Sequence, residues 1–128
     1  MGYTEESLSE KGAEIQAQLW GEQMLRGGGG GVPGAQLAPE FFQLVRQFCF
    51  GMFWGREGLD VKHRSLVTVS QLAALGKLEE LKDHLRGALN VGWTKEELVE
   101  VMMHTAVYCG VPAGVNALNA AAEVLNDA

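Results

Sequence analysis

The run from residue 101 to residue 122 contains no Asp, Glu, Lys or Arg, and it constrains the fold more than any other feature of the chain. A stretch of that length could be taken for a membrane-crossing helix. Gly110, Pro112 and Gly114 break it, however, and His104, Asn116 and Asn119 interrupt its apolar character. Proline and glycine punctuate helices, so the run divides at that point. A buried helix ending near Tyr108, a turn, and a second buried helix from Pro112 to about Leu125 satisfy both the apolarity and the breaks. Alanines in the second helix allow close packing.

Helical spacing governs the rest of the chain. Leu8, Ile15, Leu19 and Leu25 mark an amphipathic stretch over about Glu5–Leu25. The glycines from Gly27 to Gly31, followed by Val32-Pro33-Gly34, stop it. No strand precedes those glycines and no Gly-Lys-Ser/Thr follows, so they read as a flexible connection or flap and not as a phosphate loop. A helix over Pro39–Phe53 draws its apolar contacts from Phe41, Leu44, Val45, Phe48 and Phe53, with Pro39 suited to the first turn. Asp60 is a plausible N-cap for Val61–Leu75, which lacks charge from Ser65 onward and reads as the central buried helix. Gly76 ends it. An amphipathic helix over Leu78–Asn90 closes at Gly92. Thr94-Lys95-Glu96-Glu97 is a capping box opening the next helix. No run alternates as a strand would. The class is all-α, a bundle of about six helices.

With 47% apolar and 20% charged residues in 128, the chain is globular and long enough for its own core. Its net charge of −6 and lack of clustered basic residues argue against nucleic acid as a partner. The polar N-terminus is not a targeting signal, and no membrane partner is expected. Cys49 and Cys109 lie far apart and suggest no disulfide framework, which makes a reduced, cytoplasmic setting the default. Cys109 reads as a small buried hydrophobe. The three histidines lack metal-ligand spacing, so no metal is expected.

Three segments in order carry a resemblance. They are Phe53 to Asp60 leading into Arg64-Ser65, then Leu81 to Ala88 around His84, then Val107 to Ala113. Together they resemble the carboxymuconolactone decarboxylase family, over roughly Phe41 to Leu125. The resemblance implies the helical fold shared with AhpD-like alkylhydroperoxidases and an organisation of residues 1–38 as an N-terminal helix and Gly-rich connection, with 39–128 as the family's helical domain. It also implies a homo-oligomer, a trimer or trimer of dimers, with sites between helices or subunits. Decarboxylation in the family uses no metal or organic cofactor.

His84 matches the family's histidine. A histidine can donate a proton to the carbon that loses CO2, or hydrogen-bond the developing oxyanion; a surface histidine on an amphipathic helix is the plain alternative. The peroxidase members carry Cys-x-x-Cys ahead of that histidine, and those positions here are Lys77 and Glu80. Thiol cycling is excluded there. Arg64 could hold a substrate carboxylate or form a structural ion pair. His104 and Tyr108, one turn apart, can face one cavity and contact substrate, although a core or interface histidine serves equally well. Trp54, with Phe53, could wall a ring-shaped substrate or belong to the core. His63 reads as solvated.

Two positions depart from the family. Met52 stands where a glutamate is usual, and Asn119 where a histidine is usual. Replacing carboxylate by thioether removes an acid–base group and makes the Met52 side of the site more apolar. The expected activity is therefore a cofactor-independent lyase acting on a small carboxylated cyclic substrate, in aromatic degradation or a secondary pathway. The alternatives are a cyclase, isomerase or hydrolase on the same fold, or a non-catalytic oligomeric binding protein.

Overall fold

The computed structural model describes residues 2–22 and 33–128. Leu25 and the glycines from Gly27 to Gly31 lie outside the described residues. Among the described residues there are six α-helices and no strand. They fall into two compact units, residues 1–61 and residues 62–128.

The first unit begins with α1, Glu5–Trp20. Its N-terminus is closed reciprocally: the Thr4 hydroxyl accepts from the Ser7 amide at 3.0 Å, and the Ser7 hydroxyl accepts from the Thr4 amide at 2.9 Å. A 3-10 turn at Pro33–Gln36 leads to α2, Pro39–Val45. The sequence predicts one continuous helix to Phe53, but after Val45 the chain widens into a π-helix over Arg46–Phe53. The Trp54 amide closes it by donating to the Cys49 carbonyl five residues back, at 2.9 Å. Close approach explains why α1 can lie against this widened turn. A Cβ on Gly12 would overlap the Arg46 carbonyl oxygen, and one on Gly51 would overlap the Leu8 carbonyl oxygen. Polar contacts fix the register: Arg46 Nε donates to Gln16 Oε1 at 2.7 Å, and Gln43 and Gln47 donate to Ser9 Oγ at 2.8 and 2.9 Å.

The apolar contacts in this segment differ from expectation. Phe41, Leu44, Phe48 and Phe53 are all exposed, and Phe50 supplies the buried ring instead. Phe50 meets Trp20 edge-on at 5.7 Å and Trp54 at 5.6 Å. Widening to i→i+5 bonding rotates the side chains away from the 3.6-residue register on which the sequence argument relied.

The second unit holds α3 (Val61–Leu75), α4 (Leu78–Asn90), α5 (Lys95–Cys109) and α6 (Val111–Leu125). Its core is built from Val69 and Ala73 of α3, Leu81, Leu85 and Ala88 of α4, Leu98 and Met102 of α5, and the alanine-rich face of α6 with Val124 and Leu125. Each fully buried leucine contributes about 1.5–3 kcal/mol relative to exposure. Gly76 and Gly92 end α3 and α4 with φ of +71° and +108°. In both, the next residue's amide reaches back to the helix: Lys77 to Leu72 O and Trp93 to Ala88 O, each at 3.0 Å. That is the Schellman arrangement, which favours glycine because the left-handed backbone crowds a Cβ. The box at Thr94 forms, with Thr94 accepting from the Glu97 amide at 3.1 Å and Glu97 accepting from the Thr94 amide at 3.0 Å.

Two further contacts hold the ends of this unit. Trp93 Nε1 donates to the Lys62 carbonyl at 2.7 Å, and the Lys62 ammonium lies 4.6 Å over its ring. Lys82 bridges Glu79 at 3.0 Å and Glu123 of α6 at 2.8 Å. Helix α3 is less buried than its lack of charge suggests. Only Ser65, Val69 and Ala73 are buried, while Val67 and Leu75 are exposed. The charge-free run 101–122 does divide at Gly110 into α5 and α6. No helix among the described residues is long and apolar enough to cross a membrane.

Candidate active site

His84 sits in the second turn of α4, on the helix that buries Leu81, Leu85 and Ala88. The spacing that drives those apolar residues inward also carries the imidazole inward. Its Nδ1 is fully buried. Burial lowers its pKa from 6.5 to about 4, although the carboxylate of Glu80, one turn earlier, pulls the other way. Removal from water penalises the charged form, and one exposed carboxylate does not compensate. His84 is therefore neutral at pH 7, with one N–H to donate and one nitrogen to accept.

Arg64 is half-buried in the first turn of α3. Its carbonyl accepts from the Thr68 hydroxyl at 2.8 Å, and Ser70 bonds back to Leu66 in the same way at 2.9 Å. Ser65 is different: its hydroxyl is fully buried and has no hydrogen-bond partner among the described residues. His63 is exposed and stands edge-on to Trp93 at 5.7 Å.

His104 and Tyr108 line one open cavity of about 450 Å³ between α3 and α5, with their rings 5.3 Å apart. Glu100, Val101 and Thr105 of α5 and Ser70 of α3 line it too. Glu100 went unremarked in the sequence, yet its spacing of four residues from His104 and eight from Tyr108 is the signal that could have found it. Cys109 also reaches this cavity and is exposed, not buried as its residue type suggested. Tyr108 projects strongly, at 80% exposure. His84 is not among the residues lining the cavity. The residues singled out from sequence thus do not all gather there. Met52 and Trp54 belong to the first unit, where Met52 is half-buried in the π-helix and Trp54 follows it. Asn119 is exposed on α6. Lys77 and Glu80, at the positions that carry thiols in the peroxidases, are both exposed on the approach to His84. Among the described residues no group of His, Cys, Asp and Glu could hold a metal ion.

These features define an all-α domain with a half-buried, uncharged histidine, its Nδ1 fully enclosed, on the amphipathic helix α4. The chain belongs to the carboxymuconolactone decarboxylase family, whose model matches residues 39–123. It is 43% identical over 88 residues to 4-carboxymuconolactone decarboxylase of Acinetobacter baylyi, covering 69% of this chain and 66% of that one. It is 39% identical over 85 residues to nitrosuccinic acid decarboxylase npaB of Metarhizium robertsii, covering 66% of this chain and 59% of that one. An uncharacterised 15.0 kDa protein of Paracoccus denitrificans is 35% identical over 91 residues, covering 70% of this chain and 68% of that one. The match thus spans less than two thirds of the length of each relative named as a decarboxylase, 66% of the first and 59% of the second.

Proposed function

We propose that this chain is a cofactor-independent decarboxylase acting on a small carboxylated molecule whose departing carboxylate lies next to an electron-accepting group. The observation that carries the reading is the family match over residues 39–123, joined to a neutral, buried imidazole at His84. The two relatives named as decarboxylases act, by their names, on an acid bearing a lactone and an acid bearing a nitro group. Both groups can receive an electron pair.

In the proposed step the bond between substrate carbon and carboxyl breaks and CO2 leaves. The electron pair moves into the adjacent acceptor, whose oxygen becomes negative. A neutral imidazole is a poor proton donor, but its N–H can donate a hydrogen bond to that oxygen, and the effect is large where water is excluded. His84 is thus the oxyanion partner, and a solvent proton completes the carbon. Arg64 anchors a substrate carboxylate through its planar fork. Measured CO2 release with both named acids, in wild-type protein and His84→Ala, tests this reading.

The proposal includes self-association. In the first unit Phe41, Leu44 and Phe48 are exposed by 58%, 57% and 52%. Exposed apolar side chains of this size on a chain of net charge −6 support contact between copies. Sedimentation of the wild type as an oligomer, and of the double variant Phe41→Glu/Phe48→Glu as a monomer, is the expected result.

A further inference from the structure

The cavity between α3 and α5 has a lining that does not suit the substrate of the decarboxylation reading. No Lys or Arg lines it, so an anionic ligand meets no fixed cation. The wall is rich in acceptors instead. Ser70 donates its hydroxyl proton to the Leu66 carbonyl at 2.9 Å, and Thr105 donates its own to the Val101 carbonyl at 3.0 Å. Both oxygens are left with lone pairs only. The Glu100 carboxylate adds a third acceptor, and a charged one. Donors lie further along α5, the His104 imidazole one turn and the Tyr108 hydroxyl two turns beyond Glu100. A helical turn is roughly 5.4 Å, so Glu100 and the His104 imidazole are offset by about the length of a four-carbon chain. Val101 supplies an apolar strip between them. The volume of about 450 Å³ is within the usual range for small-molecule sites.

We infer that this cavity is a binding site, separate from His84, for a small molecule carrying a cationic amine at one end and a carboxylate or carbonyl about one helical turn away. The amine meets Glu100. The carboxylate or carbonyl meets His104 and Tyr108. Charge selects the orientation and the class: a dicarboxylate of the same length places an anion against Glu100, and like charges at that distance repel. The inference does not rest on the decarboxylation reading, because His84 does not line the cavity.

A matched pair of probes tests it. γ-Aminobutyrate and succinate are similar in length and differ in whether the second end is an ammonium or a carboxylate. Both are titrated at neutral pH and constant ionic strength into the full-length 15N-labelled protein, followed by amide chemical shifts. The expected result is saturable shifts in α5 between Glu100 and Cys109 with γ-aminobutyrate and none with succinate. Glu100 is exposed, so Glu100→Gln keeps the fold, as its amide dispersion will show. It weakens γ-aminobutyrate binding roughly tenfold or more, the usual loss for a charge-assisted hydrogen bond. His84→Ala leaves binding unchanged while abolishing the proposed turnover, which separates the two sites. The inference is overturned if γ-aminobutyrate gives no saturable shift in α5, if succinate binds as well, or if Glu100→Gln retains wild-type affinity.

Discussion

Removing the ionisable group at His84 while keeping its polarity, as in His84→Gln, should flatten the acid limb of the stability curve. In the folded chain burial holds the imidazole pKa near 4, against 6.5 for the exposed group. Between those values the unfolded chain binds a proton that the folded chain does not. Stability therefore rises with pH across this window: the contribution is complete above 6.5 and is lost as pH falls toward 4. At about 1.4 kcal/mol per pH unit, the whole displacement corresponds to roughly 3 kcal/mol, of which about 2 kcal/mol is lost by about pH 5. Acidic side chains contribute their own pH dependence, so the comparison must be between wild type and variant. Urea unfolding at about pH 7.5 and about pH 5 should show the wild type losing about 2 kcal/mol more than His84→Gln on acidification. The imidazole resonance of His84 should titrate well below that of an exposed histidine. Parallel losses in the two proteins, or titration of His84 near 6.5, would refute the claim that burial keeps this side chain neutral.

Two perturbations test the framework that holds the site. Thr94→Ala removes the oxygen that accepts from the Glu97 amide at 3.1 Å and should lower stability by about 1 kcal/mol in chemical denaturation; no change would mean that the box is redundant. Gly51→Ala places a Cβ on the Leu8 carbonyl oxygen and should destabilise the first unit by roughly 1–3 kcal/mol. Faster amide exchange in α1 than in α4 should accompany it, and uniform exchange would contradict local displacement.

Most of the fold was legible because its signals are local. The box at Thr94, the glycine stops at Gly76 and Gly92 and the break at Gly110 all act through a few neighbouring residues, and each appears where expected. The π-helix at Arg46–Phe53 was not legible. It depends on the fit of Gly51 and Gly12 against a neighbouring segment, and that fit decides which of several phenylalanines turns inward. Helix α3 misled for a related reason: lack of charge marks a helix as permissive of burial, but only packing partners decide how much of it is buried. At the site, the histidine of the family motif was found by resemblance, whereas its neutrality follows from burial that no single-sequence pattern reports. Glu100 was overlooked because a carboxylate on a helix surface is common, and only the cavity joins it to His104 and Tyr108.

The central claim is that this chain decarboxylates a small acid with His84 as a neutral hydrogen-bond donor. The most direct test is the rate of CO2 release from 4-carboxymuconolactone and from nitrosuccinic acid, in wild type and in His84→Ala shown to be folded. The account predicts turnover of at least one acid by the wild type and a loss of roughly a hundredfold or more in the variant, the scale of removing one oxyanion donor. Full activity in His84→Ala, or no CO2 from either acid with the folded wild type, would contradict it.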